Sequence, residues 1–220
     1  MDLPHALALA GAGARELLGR LVSPPRCAAC DTDVGPRAVF CGACLWTVER
    51  APLARDASRL AAFQYGGAIA QAITLFKYSR RPDLARALGD LLWLGVEPHA
   101  AAHARSLVVP VPLHASRLAE RGYNQSALLA IRVARLLGTR CLPLALARTR
   151  DTPRQAALGR GERLTNVAGA FVAREARVRG ARVLVVDDVA TTGATLRACE
   201  AALLAAGAAS VASLVLARAA

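Results

Sequence analysis

Apolar positions recur with two different periods along this chain, and the two periods alternate from Leu60 onwards. Short apolar runs predict strands, and longer segments with apolar residues at helical spacing predict helices. The predicted strands are Leu60–Tyr65, Ser106–Val111, Cys141–Ala145, Ala170–Val172, Arg182–Val186 and Ser210–Ala217. The predicted helices are Ala68–Tyr78, Leu84–Leu94, Ser116–Leu137 with an interruption at Gly122, and Gly193–Ala206. The most apolar strands lack polar alternation, which predicts an α/β fold with a parallel sheet covered by helices on both faces.

The residue pattern changes near residue 54, from a cysteine-rich region to alternating strand and helix patterns, which predicts two domains. Residues 1–54 are assigned to an N-terminal helix and a small cysteine-rich domain, and residues 55–220 to the α/β domain. A length of 220 residues fits one ordinary domain with a small appendage. Because 55% of the residues are hydrophobic, disorder throughout the chain is excluded.

Four of the six cysteines form two CxxC pairs separated by ten residues: Cys27, Cys30, Cys41 and Cys44. Four thiolates at this spacing suit a tetrahedral ion, usually Zn²⁺, in a structural site with no open coordination position. Two disulfides, a redox CxxC motif, or a site that has lost its metal are the alternatives. Cys141 and Cys199 stand alone in apolar stretches and are predicted to be buried small hydrophobes.

No segment of the sequence is typical of membrane insertion. The first 14 residues carry Asp2 and lack a basic region, so they do not resemble a signal peptide. The uncharged run Ala201–Ala217 contains Gly207 and divides more naturally into a helix end and a strand. We therefore expect a cytoplasmic protein without membrane insertion.

The segment Val183–Thr195, VLVVDDVATTGAT, carries the candidate chemistry. An apolar strand ends in Asp187 and Asp188, and a loop of small residues then opens a helix. Ligands of open α/β sheets bind at the carboxyl ends of strands, and such a loop offers backbone N–H groups and a helix dipole to a phosphate. Because carboxylates cannot hold a phosphate, the two acids are predicted to accept hydrogen bonds from ribose hydroxyls. A 5-phosphorylated ribose satisfies both requirements.

This segment resembles the signature loop of the type I phosphoribosyltransferases. Two further segments, Val109–Ser126 (VPVPLHASRLAERGYNQS) and Arg148–Phe171 (RTRDTPRQAALGRGERLTNVAGAF), resemble the ComF family (ComFC/GntX-like) of phosphoribosyltransferase-domain proteins, as do Lys77-Tyr78 and the paired CxxC motifs. The resemblance implies a type I phosphoribosyltransferase-like sheet preceded by a small domain that binds structural zinc. It also implies binding of 5-phosphoribosyl-1-pyrophosphate with Mg²⁺.

The resemblance gives each candidate residue a role. Asp187 and Asp188 are the candidate catalytic residues, which hold the ribose. The 5-phosphate loop comprises Thr191, Thr192, Gly193, Ala194 and Thr195. The turn near the pyrophosphate comprises Pro112, Leu113 and His114, and a flexible lid contains Arg148, Arg154 and Gln155. We add Arg117 and Arg121 as candidates for neutralising the pyrophosphate, because they follow that turn and a guanidinium pairs well with phosphate oxygens.

The charge of the chain is concentrated where these candidates lie. The formal net charge is +12, and the region from His114 to Arg182 holds 14 Arg against four acidic residues, a net +10. This excess fits a polyanionic substrate and suggests a second polyanion. An Arg-rich proteome would also produce it.

Two functions follow from the resemblance. The first is a phosphoribosyltransferase, in which a nitrogen nucleophile attacks C1 as pyrophosphate leaves. The alternative is a competence protein of DNA uptake that handles single-stranded DNA with a helicase-like partner and uses the domain for binding without turnover. Few aromatic side chains are expected to stack on bases, because Tyr123 is the one tyrosine expected in the basic region. This scarcity favours the first function. The acceptor and the oligomeric state are not predicted.

Overall fold

The computed structural model describes residues 25–55, 57–150 and 169–219. The strands are β1 (Arg59–Gln64), β2 (Leu107–Pro110), β3 (Leu146–Arg148), β4 (Phe171–Ala173), β5 (Arg182–Ala190) and β6 (Ser210–Arg218). The helices are α1 (Gly42–Leu45), α2 (Gly67–Tyr78), α3 (Leu84–Val96), α4 (Ala100–His103), α5 (Ala115–Arg121), α6 (Gln125–Leu137), α7 (Glu175–Val178) and α8 (Ala194–Ala205), with a 3₁₀ turn (Glu97–His99) before α4.

Four strands form a parallel sheet in the order β1-β6-β5-β2. The apolar run of β5 is buried on both faces, as the lack of polar alternation predicts. Val183 and Val185 pack into a core with α8, whereas Leu184 and Val186 pack into the core formed with α2, α3 and α6. Helices therefore cover both faces of the sheet, which confirms the predicted fold class.

The prediction of a strand over Cys141–Ala145 is wrong. Cys141 makes only an isolated bridge to Val108, and the next strand, β3, pairs antiparallel with β4 in a separate two-stranded sheet. Pro143 lies inside the predicted run, and proline has no N–H to donate to a sheet ladder. Leu142 and Ala145 are buried, whereas Leu144 is 62% exposed, so the apolar composition of the segment does not indicate strand pairing.

The break between α5 and α6 falls at Gly122, as predicted. Gly122 adopts a left-handed conformation with φ of 84°, which ends α5. Asn124 then begins α6 by accepting hydrogen bonds from the backbone N–H groups of Ser126 and Ala127. Two short helices replace one long one, and the junction between them faces the end of β5.

The cysteine-rich region packs directly on the α/β domain. Cys27, Ala28 and Phe40 are buried in the same core as Ile73 and Phe76 of α2. Within the described ranges, no helix has the length and apolar character that crossing a membrane requires.

Candidate functional site

Two aspartates are buried at the carboxyl end of β5. The ladder to β6 continues through Asp187 to Ala190, so the acids lie within the strand rather than after it. Asp187 is 9% exposed and Asp188 is 2% exposed. A buried carboxylate is costly unless it is paired, and both acids have partners from other elements. Oγ of Ser126 donates to Oδ1 of Asp187 at 2.7 Å, and Nζ of Lys77 lies 2.9 Å from Oδ1 of Asp188.

The environment of Asp187 raises the pKa of its carboxyl group. Burial, together with the charge of Asp188, raises the pKa of Asp187 to about 7, against the opposing effects of Ser126 and Lys77. Burial lowers the pKa of Lys77, but the neighbouring charges of Asp188 and Asp187 outweigh it and raise that pKa overall. The site therefore contains two acids and one cation, and the pKa of one of the acids, Asp187, is about 7.

The run RGYNQS builds one wall of this site. The Tyr123 hydroxyl donates to the carbonyl of Phe76, which ties the junction between α5 and α6 to the end of α2. Nδ2 of Asn124 donates to the carbonyl of Val111 at 3.0 Å, which fixes the segment after β2. Ser126, in the first turn of α6, then reaches Asp187. The motif thus connects three segments around the acids.

The loop between β5 and α8 has the geometry of an anion-binding turn. Gly193 precedes α8 with a φ of 71°, a left-handed conformation that favours glycine. The 12-residue helix that follows has no acidic residue in its first turn. The N–H of Ala194 donates to the hydroxyl of Thr192 at 3.4 Å, and the positive end of the helix dipole would attract an anion here.

A cleft of about 430 Å³ joins the acids to the basic side chains. Nine of the sequence-predicted residues line it: Pro112, Leu113, Arg117, Arg121, Arg148, Asp187, Asp188, Thr191 and Thr195. Arg117 and Arg121 come from α5, and Arg148 from the end of β3. The predicted ribose, pyrophosphate and lid residues that the structure describes thus meet in one place.

Four other predicted residues lie elsewhere, and two are outside the described ranges. Thr192 and Gly193 line a second cavity of about 410 Å³ between β1, β6 and the start of α8, which we call the β1–β6 groove. Ala194 is buried beneath the loop. His114 begins α5, where its side chain accepts a hydrogen bond from the N–H of Ser116. Arg154 and Gln155 belong to the segment that the structure does not describe.

The structure also adds residues that the sequence did not assign to the site. Lys77 and Ser126 are bound directly to the acids. Tyr65 and Tyr78 line the cleft and are 43% and 61% exposed, and the guanidinium of Arg121 lies 5.3 Å from the ring centroid of Tyr78. Lys77 and Tyr78 had a signal in the sequence, because this pair is one of the motifs that resemble the ComF family, and Lys77 is also the only lysine in an arginine-rich chain. Tyr65 had none.

The four clustered cysteines meet in space. Their sulfur atoms all lie within 4.8 Å of one another, and Sγ of Cys30 and Cys41 are 3.6 Å apart. Zn–S bonds of about 2.3 Å in a tetrahedron require S···S separations of about 3.8 Å, so the cluster fits such an ion. Hydrogen bonding to Thr32 lowers the pKa of Cys30 to about 6, which favours the thiolate form that binds metal. We call residues 27–47 the cysteine knuckle.

Comparison with known proteins identifies the class of this chain. A family model described as phosphoribosyl transferase domain matches residues 124–220, which include β5, the loop and α8. The parallel sheet of this chain, with helices on both faces, is that of a phosphoribosyltransferase-domain protein. A chain in the solved structure of the allosteric regulatory enzyme of purine biosynthesis is 25% identical, with a TM-score of 0.44, over 64% of this chain and 29% of that chain.

Two curated relatives then identify the family. Competence protein F of Haemophilus influenzae is 31% identical over 182 residues, which cover 80% of this chain and 77% of that protein. DNA utilization protein YhgH of Escherichia coli O6:H1 is 37% identical over 155 residues, which cover 67% of this chain and 66% of that protein, just under two thirds of its length. The chain belongs to the ComF family, as the sequence motifs indicate.

Proposed function

We propose that this protein binds 5-phosphoribosyl-1-pyrophosphate with Mg²⁺ in the cleft and transfers the phosphoribosyl group to a nitrogen nucleophile. One observation carries the proposal: a buried acidic pair and a small-residue loop follow each other at the end of β5, in the same cleft as four arginines. An acidic pair alone would repel a phosphorylated ligand. The combination requires a ligand with hydroxyl donors between two anionic groups.

Each part of the ligand has a complementary part of the cleft. Ribose hydroxyls are donors, which Asp187 and Asp188 accept. The 5-phosphate is assigned to the loop before α8, where Thr191 and Thr195 contribute hydroxyls and the helix contributes N–H groups. The pyrophosphate is assigned to the side where Arg117 and Arg121 line the cleft.

The acidic pair also fits a magnesium ion. Oδ2 of Asp188 is buried without a hydrogen-bond partner among the residues described, and carboxylate oxygens are hard ligands of the kind that Mg²⁺ prefers. Asp188, through water, and the pyrophosphate would hold the ion, which would neutralise charge on the leaving group. We assign Thr192, Gly193 and Ala194 to the loop backbone, and Arg154 and Gln155 to the lid.

The chemistry we propose depends on leaving-group stabilisation. The nucleophile bonds to C1 of the ribose while the bond from C1 to pyrophosphate oxygen breaks, through a state with oxocarbenium character. Cationic side chains placed where negative charge develops on pyrophosphate are the means by which this chain lowers the barrier. Arg148 lies at the start of the lid segment, which would exclude water.

The test is a calorimetric titration with phosphoribosyl pyrophosphate and Mg²⁺. The double substitution Asp187→Asn and Asp188→Asn is expected to weaken binding more than about a hundredfold, because two charge-assisted acceptors are lost. Glu200→Gln is the matched control, since Glu200 lies in the β1–β6 groove. Affinity that survives in the double variant refutes the site. Pyrophosphate release with purine, pyrimidine and amine acceptors then shows whether turnover occurs.

A second candidate function is the handling of single-stranded DNA. The relatives' names refer to DNA utilization and competence, and exposed Tyr65 and Tyr78 share the rim of the cleft with Arg80, Arg117 and Arg121. Aromatic rings among cations are what sequence-tolerant strand binding requires. Such a protein would work in the cytoplasm with a helicase-like partner.

Tyr123, the one tyrosine that the sequence places in the basic region, does not supply an exposed ring. Tyr123 packs against Phe76 with ring centroids 5.7 Å apart, whereas Tyr78 is exposed. Tyr78→Ala is therefore expected to weaken binding of a labelled oligothymidine about tenfold, measured by fluorescence anisotropy at fixed salt. Asp187→Asn should leave that affinity unchanged. Equal affinity of the Tyr78→Ala variant and the wild type would contradict strand binding at this rim.

A further inference from the structure

Helix α2 carries two cleft residues, and the cysteine knuckle contacts the start of this helix and the chain just beyond its end. Lys77 and Tyr78 are the last two residues of α2, and Lys77 is the cation paired with Asp188. Whatever fixes α2 along its axis therefore fixes the position of that ammonium group relative to the acidic pair.

The first contact is at the start of α2. The Thr47 hydroxyl accepts a hydrogen bond from the N–H of Ala68 at 2.9 Å and donates one to the carbonyl of Cys44 at 2.8 Å. Gly66, the residue before α2, provides no side-chain cap, so Thr47 satisfies a backbone donor that the helix itself leaves open. One hydroxyl thus joins a cysteine of the cluster to the first turn of α2.

The approach of the two segments is close enough to require glycine. A Cβ on Gly67 would lie 2.3 Å from the carbonyl oxygen of Thr47, and Gly67 has a φ of 46°. Along the middle of α2, Ile73 and Phe76 share a buried core with Cys27 and Phe40 of the knuckle. The knuckle therefore fits the helix along its length rather than at one point.

The second contact is just beyond the end of α2. Asp31, which follows Cys30, lies 3.1 Å from the guanidinium of Arg81. Asp31 is half-exposed, and ion pairs in such positions contribute little. The hydroxyl of Thr47 is therefore the better place to test the contact.

We propose that the cysteine knuckle clamps α2 and thereby holds Lys77 against the acidic pair, with Thr47 as the positioning residue that transmits order from the cysteine cluster to the cleft. Because coupling between two sites is reciprocal, ligand binding in the cleft also protects the metal site. This second consequence rests on the proposed function, whereas the effect on Lys77 does not.

The test uses Lys77 as its own reporter. Since it is the only lysine of the chain, acylation by an amine-reactive reagent, followed by peptide mass spectrometry, reports one side chain. Thr47→Val is expected to raise the acylation rate of Lys77 about fivefold, the effect of losing one hydrogen bond on local opening. The matched control is Thr74→Val, on the same helix, which removes a hydroxyl that only donates to the carbonyl of Ala70.

Both variants are compared with the wild-type chain. The zinc content of each protein is measured and is expected to be about one zinc per chain. Equal acylation rates in Thr47→Val and Thr74→Val, with unchanged circular dichroism, overturn the clamp. A protein that holds no zinc also overturns it, because the knuckle then has no order to transmit.

A second measurement separates the clamp from the proposed function. Transfer of zinc to a chromogenic chelator is followed with and without phosphoribosyl pyrophosphate and Mg²⁺, and the ligand is expected to slow it about fivefold in the wild type but not in Thr47→Val. If the titration shows no binding, the proposed function fails while the acylation result still decides the clamp. Binding that leaves zinc transfer unchanged contradicts the coupling.

Discussion

Two cavities of nearly equal size share the loop before α8, yet only one has the chemistry of a site. The cleft measures about 430 Å³ and the β1–β6 groove about 410 Å³, and Thr191 lines both. In the cleft, Asp187 and Asp188 are buried and paired with groups from α2 and α6. The cations of the groove, Arg59, Arg197 and Arg218, are exposed to solvent.

The difference shows that buried charge distinguishes the candidate site more clearly than cavity volume. Exposed arginines at the edge of a sheet need no partner, because water solvates them. A buried acid such as Asp187, whose pKa is raised by burial and by its neighbour Asp188, is retained at a cost in stability, which is typical of functional sites. The groove also has a buried acceptor without a partner, Oε1 of Gln64, but it belongs to a neutral amide.

The largest expected effect comes from removing the cation of the cleft. Lys77→Met leaves two buried acids without their counter-charge, and we expect the free energy of unfolding at pH 8 to fall by about 3 kcal/mol. At pH 5 the loss should be smaller, because Asp187 is then protonated. Chemical denaturation at both pH values measures the difference.

Arg197→Met is the corresponding change in the β1–β6 groove. Because this arginine is exposed, its removal should change the free energy of unfolding by less than about 0.5 kcal/mol. If Lys77→Met and Arg197→Met lowered the free energy of unfolding by similar amounts, buried charge would not distinguish the cleft from the groove.

The acidic pair and the loop after it, which the residue pattern alone predicts, are contiguous in the chain. Asp187, Asp188 and that loop lie within nine residues, and a buried strand followed by a helix is a local pattern. The parallel sheet follows from the same reasoning, since apolar strands without alternation need cover on both faces. Pro143, inside the predicted strand Cys141–Ala145, was the residue that argued against that strand.

The remaining parts depend on distant pairs that one sequence does not reveal. Ser126 and Asp187 are 61 positions apart, and Lys77 reaches Asp188 from a helix near the other edge of the sheet order. The division of the loop between the cleft and the groove depends on the direction of successive side chains in a turn. Composition and spacing contain no information on either point.

The dependence of stability on pH, which is smaller within any one pH unit, also tests the comparison between the cavities. The pKa of Asp187 is raised from 3.8 to about 7 by burial and by Asp188. The folded protein therefore keeps a proton that the unfolded chain releases, so the free energy of unfolding should fall as pH rises from about 4 to about 7. The slope reaches at most about 1.4 kcal/mol per pH unit. Asp187→Asn should remove this slope in denaturation experiments at several pH values.

Ligand affinity should rise with pH, whereas the free energy of unfolding falls, because the same carboxyl group of Asp187 loses its proton. An ionised carboxylate accepts ribose hydroxyls more strongly than a carboxylic acid does, so a pKa of about 7 for Asp187 predicts that affinity for phosphoribosyl pyrophosphate with Mg²⁺ rises up to about tenfold from pH 6 to pH 8. Inorganic pyrophosphate lacks the ribose and shows how much of the change comes from titration of phosphate groups alone. A tenfold rise for both ligands would mean that Asp187 does not bind the sugar. A rise for phosphoribosyl pyrophosphate alone, with the loss of stability described above, would assign both effects to one buried carboxyl group.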